Sequence, residues 1–397
     1  MYCTSKRRTT DAIIAAAVIS VSWNDFRVPG GLTLSDPLLI GGAILAGLGS
    51  GRHPIATIRL HRSLKLLFEF GAALLLGGLI GGVVASTNDL GISTAVRFAI
   101  SLAAVLLLGA ALTADRKRWY LVVRSYVLGT VISATAAILT DTSGGFRGRA
   151  TGLANHPNHF GLTMMLGIFC AICLTISSTR LDRAIGLVAT IPLGAGLLAS
   201  GSRAALAGTL LGLAFLLVLQ GGKAIRMAIA LSLPGFPLVL WIMSNTSAGT
   251  SALSRLIAPT KYEAVASQDR LSHYADALKI IRNYPVTGVG FSRGLVFHDL
   301  PLQIVVTAGI LGFVAIWILG IYVARVVSTG IGRAADGRCR VMAGGILATA
   351  GFLLVSPNLY DRFLLVFFVV AACTPNVLVT LSYGPTMADS PSQVSSP

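Results

Sequence analysis

Runs such as SLKLLFEFGAALLLGGLIGGVVAS, residues 63–86, decide most of what this chain can become. A helix needs about 20 mostly apolar residues to cross the hydrocarbon layer of a bilayer. Segments of that kind recur along the whole chain. Twelve candidate spans are read: 11–24, 31–49, 64–86, 91–113, 119–140, 159–178, 184–200, 203–220, 224–244, 299–324, 340–356 and 360–382. The sequence is 54% hydrophobic and only 12% charged, against about 25% charged in a soluble domain. The fold expected is therefore all-α, a polytopic membrane bundle of about twelve transmembrane helices. The 44 glycines fit such a bundle, because small residues let helix backbones approach closely in lipid. The break SGSR, 200–203, is short enough that the helices on either side should form a tight hairpin.

The formal net charge is +16. Its basic residues are scattered through the loops between apolar runs, which is the pattern of the positive-inside rule rather than of a nucleic-acid binder. Alternate loops carry the larger share of Lys and Arg, including Lys6–Arg8, Arg52–Lys65, Arg116–Arg124 and Arg325–Arg340. Those loops are assigned to the cytoplasm, with both termini inside. The chain reads as one membrane domain over 1–382, followed by a polar cytoplasmic tail, 383–397, expected to be disordered. The long gap 245–298, between the ninth and tenth spans, then lies outside the cytoplasm. Cysteines give no disulfide framework. Cys170 and Cys173 form a CxxC inside an apolar run, where free Cys behaves as a small hydrophobe.

The outer side carries the chemistry. Within the long gap, QDRLSHYADALKIIRN reads as an amphipathic helix with Leu271, Tyr274, Leu278 and Ile281 on one face. Arg270 falls at the edge of that face. It either looks along the seam into the bundle or touches lipid phosphates from a helix lying in the headgroup layer. Arg203 opens an apolar helix after Ser202. It either snorkels to the interface or binds an anion beside helix N–H groups. FRGRATGLANHPNHFG, 146–161, holds Arg147, Arg149 and Asn158, polar groups suited to a phosphate or sugar. His156 and His159 are three apart, but Pro157 disfavours a helical His156 and no Asp, Glu or Cys follows nearby, so no metal site is expected. Arg293 precedes the return to the membrane. His298 and Asp299 stand where the long gap re-enters it, and a neutral imidazole there can accept a proton from a hydroxyl.

Three of these motifs together resemble the O-antigen ligase / O-antigen polymerase superfamily of polytopic bacterial membrane proteins. They are the helix-opening turn SGSRAALAG, the outer helix and turn RLSHYADALKIIRNYPVTGVG, and the re-entry HDLPLQIVVTAGILG. HPNHFG is a weaker fourth, and the resemblance spans about 150–315. It implies a metal-independent, cofactor-free glycosyltransferase of the bacterial plasma membrane. Such an enzyme moves a glycan from undecaprenyl diphosphate to an acceptor glycan, glycolipid or protein on the outer face. It further implies that Arg203 and Arg270 hold the diphosphate and that His298 serves the acceptor hydroxyl. Arg147, Arg149, Asn158, Ser202, Arg293 and Asp299 stand beside them as substrate-binding candidates. Two departures are visible: the family commonly has His-Asn where this chain has His298-Asp299, and often an acid where it has Thr307. A repeat-unit polymerase of the same superfamily, or a transporter of a small solute such as bicarbonate or sugar, are the competing readings.

Overall fold

A computed structural model of the chain describes residues 2–23, 33–49, 54–85, 89–140, 149–220, 261–291, 297, 299–332, 335–356 and 361–379. Among them, the regular structure is helical: α1 Tyr2–Ser20, α2 Ser35–Gly49, α3 Pro54–Leu60, α4 Arg62–Val84, α5 Asp89–Ala114, α6 Arg116–Thr140, α7 Pro157–Thr175, α8 Arg180–Ala199, α9 Arg203–Gln220, α10 Lys261–Asn283, α11 Leu300–Ile331, α12 Gly337–Leu353 and α13 Arg362–Val379. Eleven of the twelve expected spans coincide with one of these helices. The remaining span, 224–244, and the tail 383–397 lie outside the described residues. Seven helices, α4 to α9 and α11, are long and apolar enough to cross a membrane, while α2 and α13 are apolar but shorter. The chain is a polytopic helical membrane bundle.

Two helices form its centre. From Phe363 to Cys373 every side chain of α13 is buried, and α7 is buried along nearly its whole length. A helix that is apolar all round belongs inside a bundle. Cys170 and Cys173 are part of this packing. By contrast, α4, α8 and α9 turn much of their surface outward, with Leu76, Val83, Val188 and Val218 all exposed.

The helices alternate in direction. At one end, the lower end, Arg124, about two turns into α6, pairs with the buried Asp182 at the start of α8 through two hydrogen bonds of 2.6 and 2.9 Å. Arg338 at the start of α12 reaches Tyr120 of α6 at the same end. The starts of α7, α9, α13 and α2 meet at the opposite, upper end. The expected hairpin at 200–203 is only half right. The turn is tight, with Gly201 at φ +61°, but α9 then leaves α8 and packs chiefly on α12. Its glycines explain the choice: a Cβ on Gly208 would stand 2.7 Å from the Ala348 carbonyl, and one on Gly212 would stand 2.5 Å from that of Gly344.

Candidate functional site

The turn that opens α9 is built by side chains from three segments. Ser200 Oγ accepts the Ser202 N–H at 3.1 Å, and Ser202 Oγ accepts that of Ala205 at 3.4 Å. Both serines are buried. Gly161 of α7 lets the turn approach, since a Cβ there would lie 2.7 Å from Ser202 Cβ and 2.8 Å from Ser200 Oγ. Arg149 closes the cluster from the third side. Its Nε donates to the Ser200 carbonyl at 2.8 Å and its Nη2 to Asn158 Oδ1 at 2.8 Å. Arg149 and Asn158 from one sequence motif, and Ser202 and Arg203 from another, are thus brought to one place at the upper end.

His156 holds the adjoining helix start. It is extended, at φ −149° and ψ 138°, and its Nδ1 accepts the Asn158 N–H at 3.1 Å. Burial, with the neighbouring His159 and Arg149, pushes its pKa down to about 4. His156 is therefore neutral at physiological pH, with Nδ1 as the acceptor that caps α7. His159 lies 5.4 Å from it, ring to ring, and its Nδ1 is 3.7 Å from Asp361 Oδ2. Among the described residues no cluster of three or more His, Cys, Asp or Glu could hold a metal ion.

A second construction carries the re-entry segment. α11 is broken: Gly309, at φ +55° and ψ −131°, leaves the helical region and divides Leu300–Ala308 from the long second half. Such a break frees backbone groups that lipid cannot satisfy. The PVTGVGF stretch satisfies them. Val289 N–H donates to the Val306 carbonyl and Gly290 N–H to that of Thr307, both at 2.9 Å, while Ile310 N–H donates to the Val286 carbonyl at 3.1 Å. Segment 285–291 is thus inserted between α11 and α4. Gly78 and Gly81 of α4 make the room, because a Cβ on Gly81 would sit 2.5 Å from the Thr287 carbonyl and one on Gly78 would strike the Phe291 ring.

Beyond this insertion, Asp299 caps α11, with Oδ1 accepting the Leu302 N–H at 2.8 Å. Asp299 is buried, and its Oδ2 has no hydrogen-bond partner among the described residues. One turn on, Gln303 Oε1 accepts the Phe297 N–H at 2.9 Å and its Nε2 donates to Thr307 Oγ1 at 3.3 Å. Thr307 therefore joins a buried polar ladder that sequence reading did not detect.

Arg147, Arg293 and His298 lie outside the described residues. Arg270 lies on α10, and its side chain is outside what the structure describes. The amphipathic helix exists where it was expected, and the face that packs on the bundle is centred on Ala277. Ala277 is buried against Val289, Phe297 and Val306, with Ile280 and Ile281 beside them. Of the residues read onto one face, Ile281 packs here, while Tyr274 and Leu278 are 41% and 63% exposed. The short Ala277 allows closer docking than Leu278 would, and the larger apolar side chains are left facing outward, as on a helix that lies in a headgroup layer.

No family model matches this chain, and no curated protein matches it. A chain from a solved structure described as "Structural coordination of polymerization and crosslinking by a peptidoglycan synthase complex" is similar, with a TM-score of 0.43 and 16% identity, over 81% of this chain and 98% of that one.

Proposed function

We propose that the chain is a glycosyltransferase that moves a glycan from undecaprenyl diphosphate to an acceptor at the outer face of the bacterial plasma membrane, in the manner of an O-antigen ligase. The observation that carries this reading is the gathering of Arg203, Ser202, Asn158 and Arg149 around one buried turn at the end of an apolar bundle. A lipid diphosphate needs that combination, with cationic and hydroxyl donors at the membrane surface and an apolar wall for the chain. Arg203 and Arg270 hold the diphosphate and stabilise charge as it grows on the leaving oxygen. His298 takes the proton of the acceptor hydroxyl. Among the described residues Asp299 Oδ2 has no donor, which supports a further polar group at this point, because buried carboxylate oxygens are rarely left without one. Arg147, Arg149, Asn158, Ser202 and Arg293 contact the glycan or its phosphates. The tail and both termini are cytoplasmic.

The reaction needs no metal, because the leaving diphosphate is already a stable anion. Purified protein in a bilayer, given a polyprenyl-diphosphate glycan and an acceptor, should transfer glycan in the presence of a strong chelator. Loss of all transfer, restored by one divalent ion, would remove the metal-independent mechanism. Orientation has its own measurement. Ser267→Cys should react with a membrane-impermeant thiol reagent in intact cells, and labelling only after lysis reverses the assigned sides.

One observation favours the transport reading, namely the break in α11, since interrupted helices line solute sites in transporters. Here, however, the groups freed at Gly309 are consumed by segment 285–291. Uptake of labelled bicarbonate or sugar into vesicles, without glycan transfer, would favour transport instead. A repeat-unit polymerase would use the same residues and differ in its acceptor, which product length reveals.

A further inference from the structure

α4 and α11 run antiparallel in close contact: a Cβ on Gly77 of α4 would stand 2.9 Å from Leu311 Cβ, and one on Gly81 would stand 3.0 Å from the Thr307 carbonyl. Following both helices down from that contact brings two polar side chains to one level. His61, the N-cap of α4, lies 16 residues before Gly77, and Arg325 lies 14 residues after Leu311. Arg325 stands six residues before the end of its span at Ile331, roughly 9 Å from that end at 1.5 Å per residue. A charge at that depth is costly. The side chain is half-buried, and its Nε is fully enclosed with no hydrogen-bond partner among the described residues. A snorkelling Arg would keep its polar head in water, and buried donors are rarely left without an acceptor. His61 adds a second donor. Its Nδ1 accepts the Leu64 N–H at 3.4 Å, and burial, with the facing charge of Arg325, lowers its pKa. The ring is therefore neutral, with its proton on Nε2. No acid is left over to meet these donors. The segments 37–68 and 300–335 contain no Asp or Glu, while Glu69 pairs with Lys65 at 3.5 Å and Asp336 with Arg338 at 2.8 Å.

We propose that the crevice between the start of α4 and the lower part of α11 binds a phosphate group, with Arg325 as its charged contact and His61 as a neutral donor beside it. Phosphate offers several acceptor oxygens to donors converging from two helices and matches the planar Arg fork. It can come from a lipid headgroup or from a free anion, and basic pockets between membrane helices take up anionic headgroups. Ile321, four residues before Arg325, and Phe68, seven after His61, lie on the same helix faces one and two turns deeper. Both are exposed, so an acyl chain below the phosphate would meet an apolar wall. Arg59 and Arg62, exposed on either side of His61, add positive charge at the mouth. The site lies at the opposite end of the bundle from the Arg203 turn. Binding here is measured without any transfer, so its outcome is independent of the proposed function.

The test uses the full chain in dodecyl maltoside, a detergent without phosphate, titrated separately with inorganic phosphate, with phosphatidylglycerol and with the diacylglycerol of the same chains. The readout is the thermal midpoint. A saturable rise with phosphatidylglycerol alone identifies a lipid headgroup, and a saturable rise with inorganic phosphate identifies a free anion. In either case Arg325→Gln should weaken the response at least about tenfold, as expected for a lost charge-assisted contact. Arg325→Lys keeps the charge and loses the buried N–H, so it should fall between Arg325→Gln and wild type. Arg180→Gln, at the exposed start of α8 on the same end, should titrate like wild type. The midpoint of each variant before any addition shows that it is folded, and the wild-type titrations decide without the variants. There is no such site if wild type gives no saturable rise with either phosphate compound, or rises equally with diacylglycerol. The same holds if Arg325→Gln responds like wild type, or if Arg180→Gln loses as much as Arg325→Gln.

Discussion

Arg203→Ala should lower transfer from a polyprenyl-diphosphate glycan by roughly 30- to 1000-fold, the loss of about 2–4 kcal/mol of transition-state stabilisation. The expectation follows from where Arg203 stands. It opens α9 directly after Ser202, in a turn whose Ser200 and Ser202 hydroxyl oxygens accept backbone N–H groups, so the backbone of the turn is fixed before any substrate arrives. The rigid helix start leaves only the Arg203 side chain to be ordered on binding, and its contact gains most as the bridging oxygen takes up charge. Arg203→Lys should rescue poorly, because an ammonium lacks the planar fork. Arg270→Ala should behave alike if Arg270 shares the diphosphate. His298→Ala should keep donor binding and lose transfer, because it serves the acceptor. Donor binding and single-turnover transfer, measured separately on each purified variant, decide the matter. If His298→Ala loses donor binding while both Arg→Ala variants retain it, the roles are misassigned. If all three retain transfer, the ligase-like reading fails.

The spans were legible because length and apolarity are local properties: a run such as 63–86 has no other stable fate in lipid. The Arg203 turn was legible for a related reason, since a cation beside small hydroxyl residues at a helix start is an anomaly visible in the string. Arg97 was the same kind of anomaly. Asp36 and Arg362, 326 residues apart in sequence, could be joined only by the fold. Which side of α10 packs on the bundle was not decided by the string, because a period of three and four residues fits more than one stripe. Leu278 outweighs Ala277 in apolarity, yet Ala277 is the residue that fits against Val289 and Phe297. The break at Gly309 left no mark at all. Gly is common in membrane helices, and only the carbonyls offered to Val289 and Gly290 show that this one interrupts the helix.

That break makes Gly290→Ala a severely damaging small substitution. Gly290 has φ +81°, a conformation that costs an L-residue roughly 1–2 kcal/mol. The steric problem is larger. An added Cβ would stand 2.5 Å from both Cα and N of Gly82 and 3.0 Å from the Gly78 carbonyl. All three are backbone atoms of α4, so no side chain can swing aside, and Gly82 cannot be made smaller. Either α4 shifts or segment 285–291 leaves its seat. Leaving exposes the Val306 and Thr307 carbonyls and the Val289 and Gly290 N–H groups to an apolar surrounding, and each unmet group costs about 1–3 kcal/mol. The variant should show a clearly lower thermal midpoint. Transfer should fall at least about tenfold because His298 and Asp299 follow the displaced segment. Donor binding should weaken less than transfer, since the Arg203 turn is held by Arg149, Asn158 and Gly161 while Arg270, on the helix packed through Ala277 against Val289, moves with the segment. Gly320→Ala in α11 is the control, because a Cβ there meets nothing within 4 Å. If Gly290→Ala matches Gly320→Ala in both midpoint and transfer, the inserted segment does not position the site.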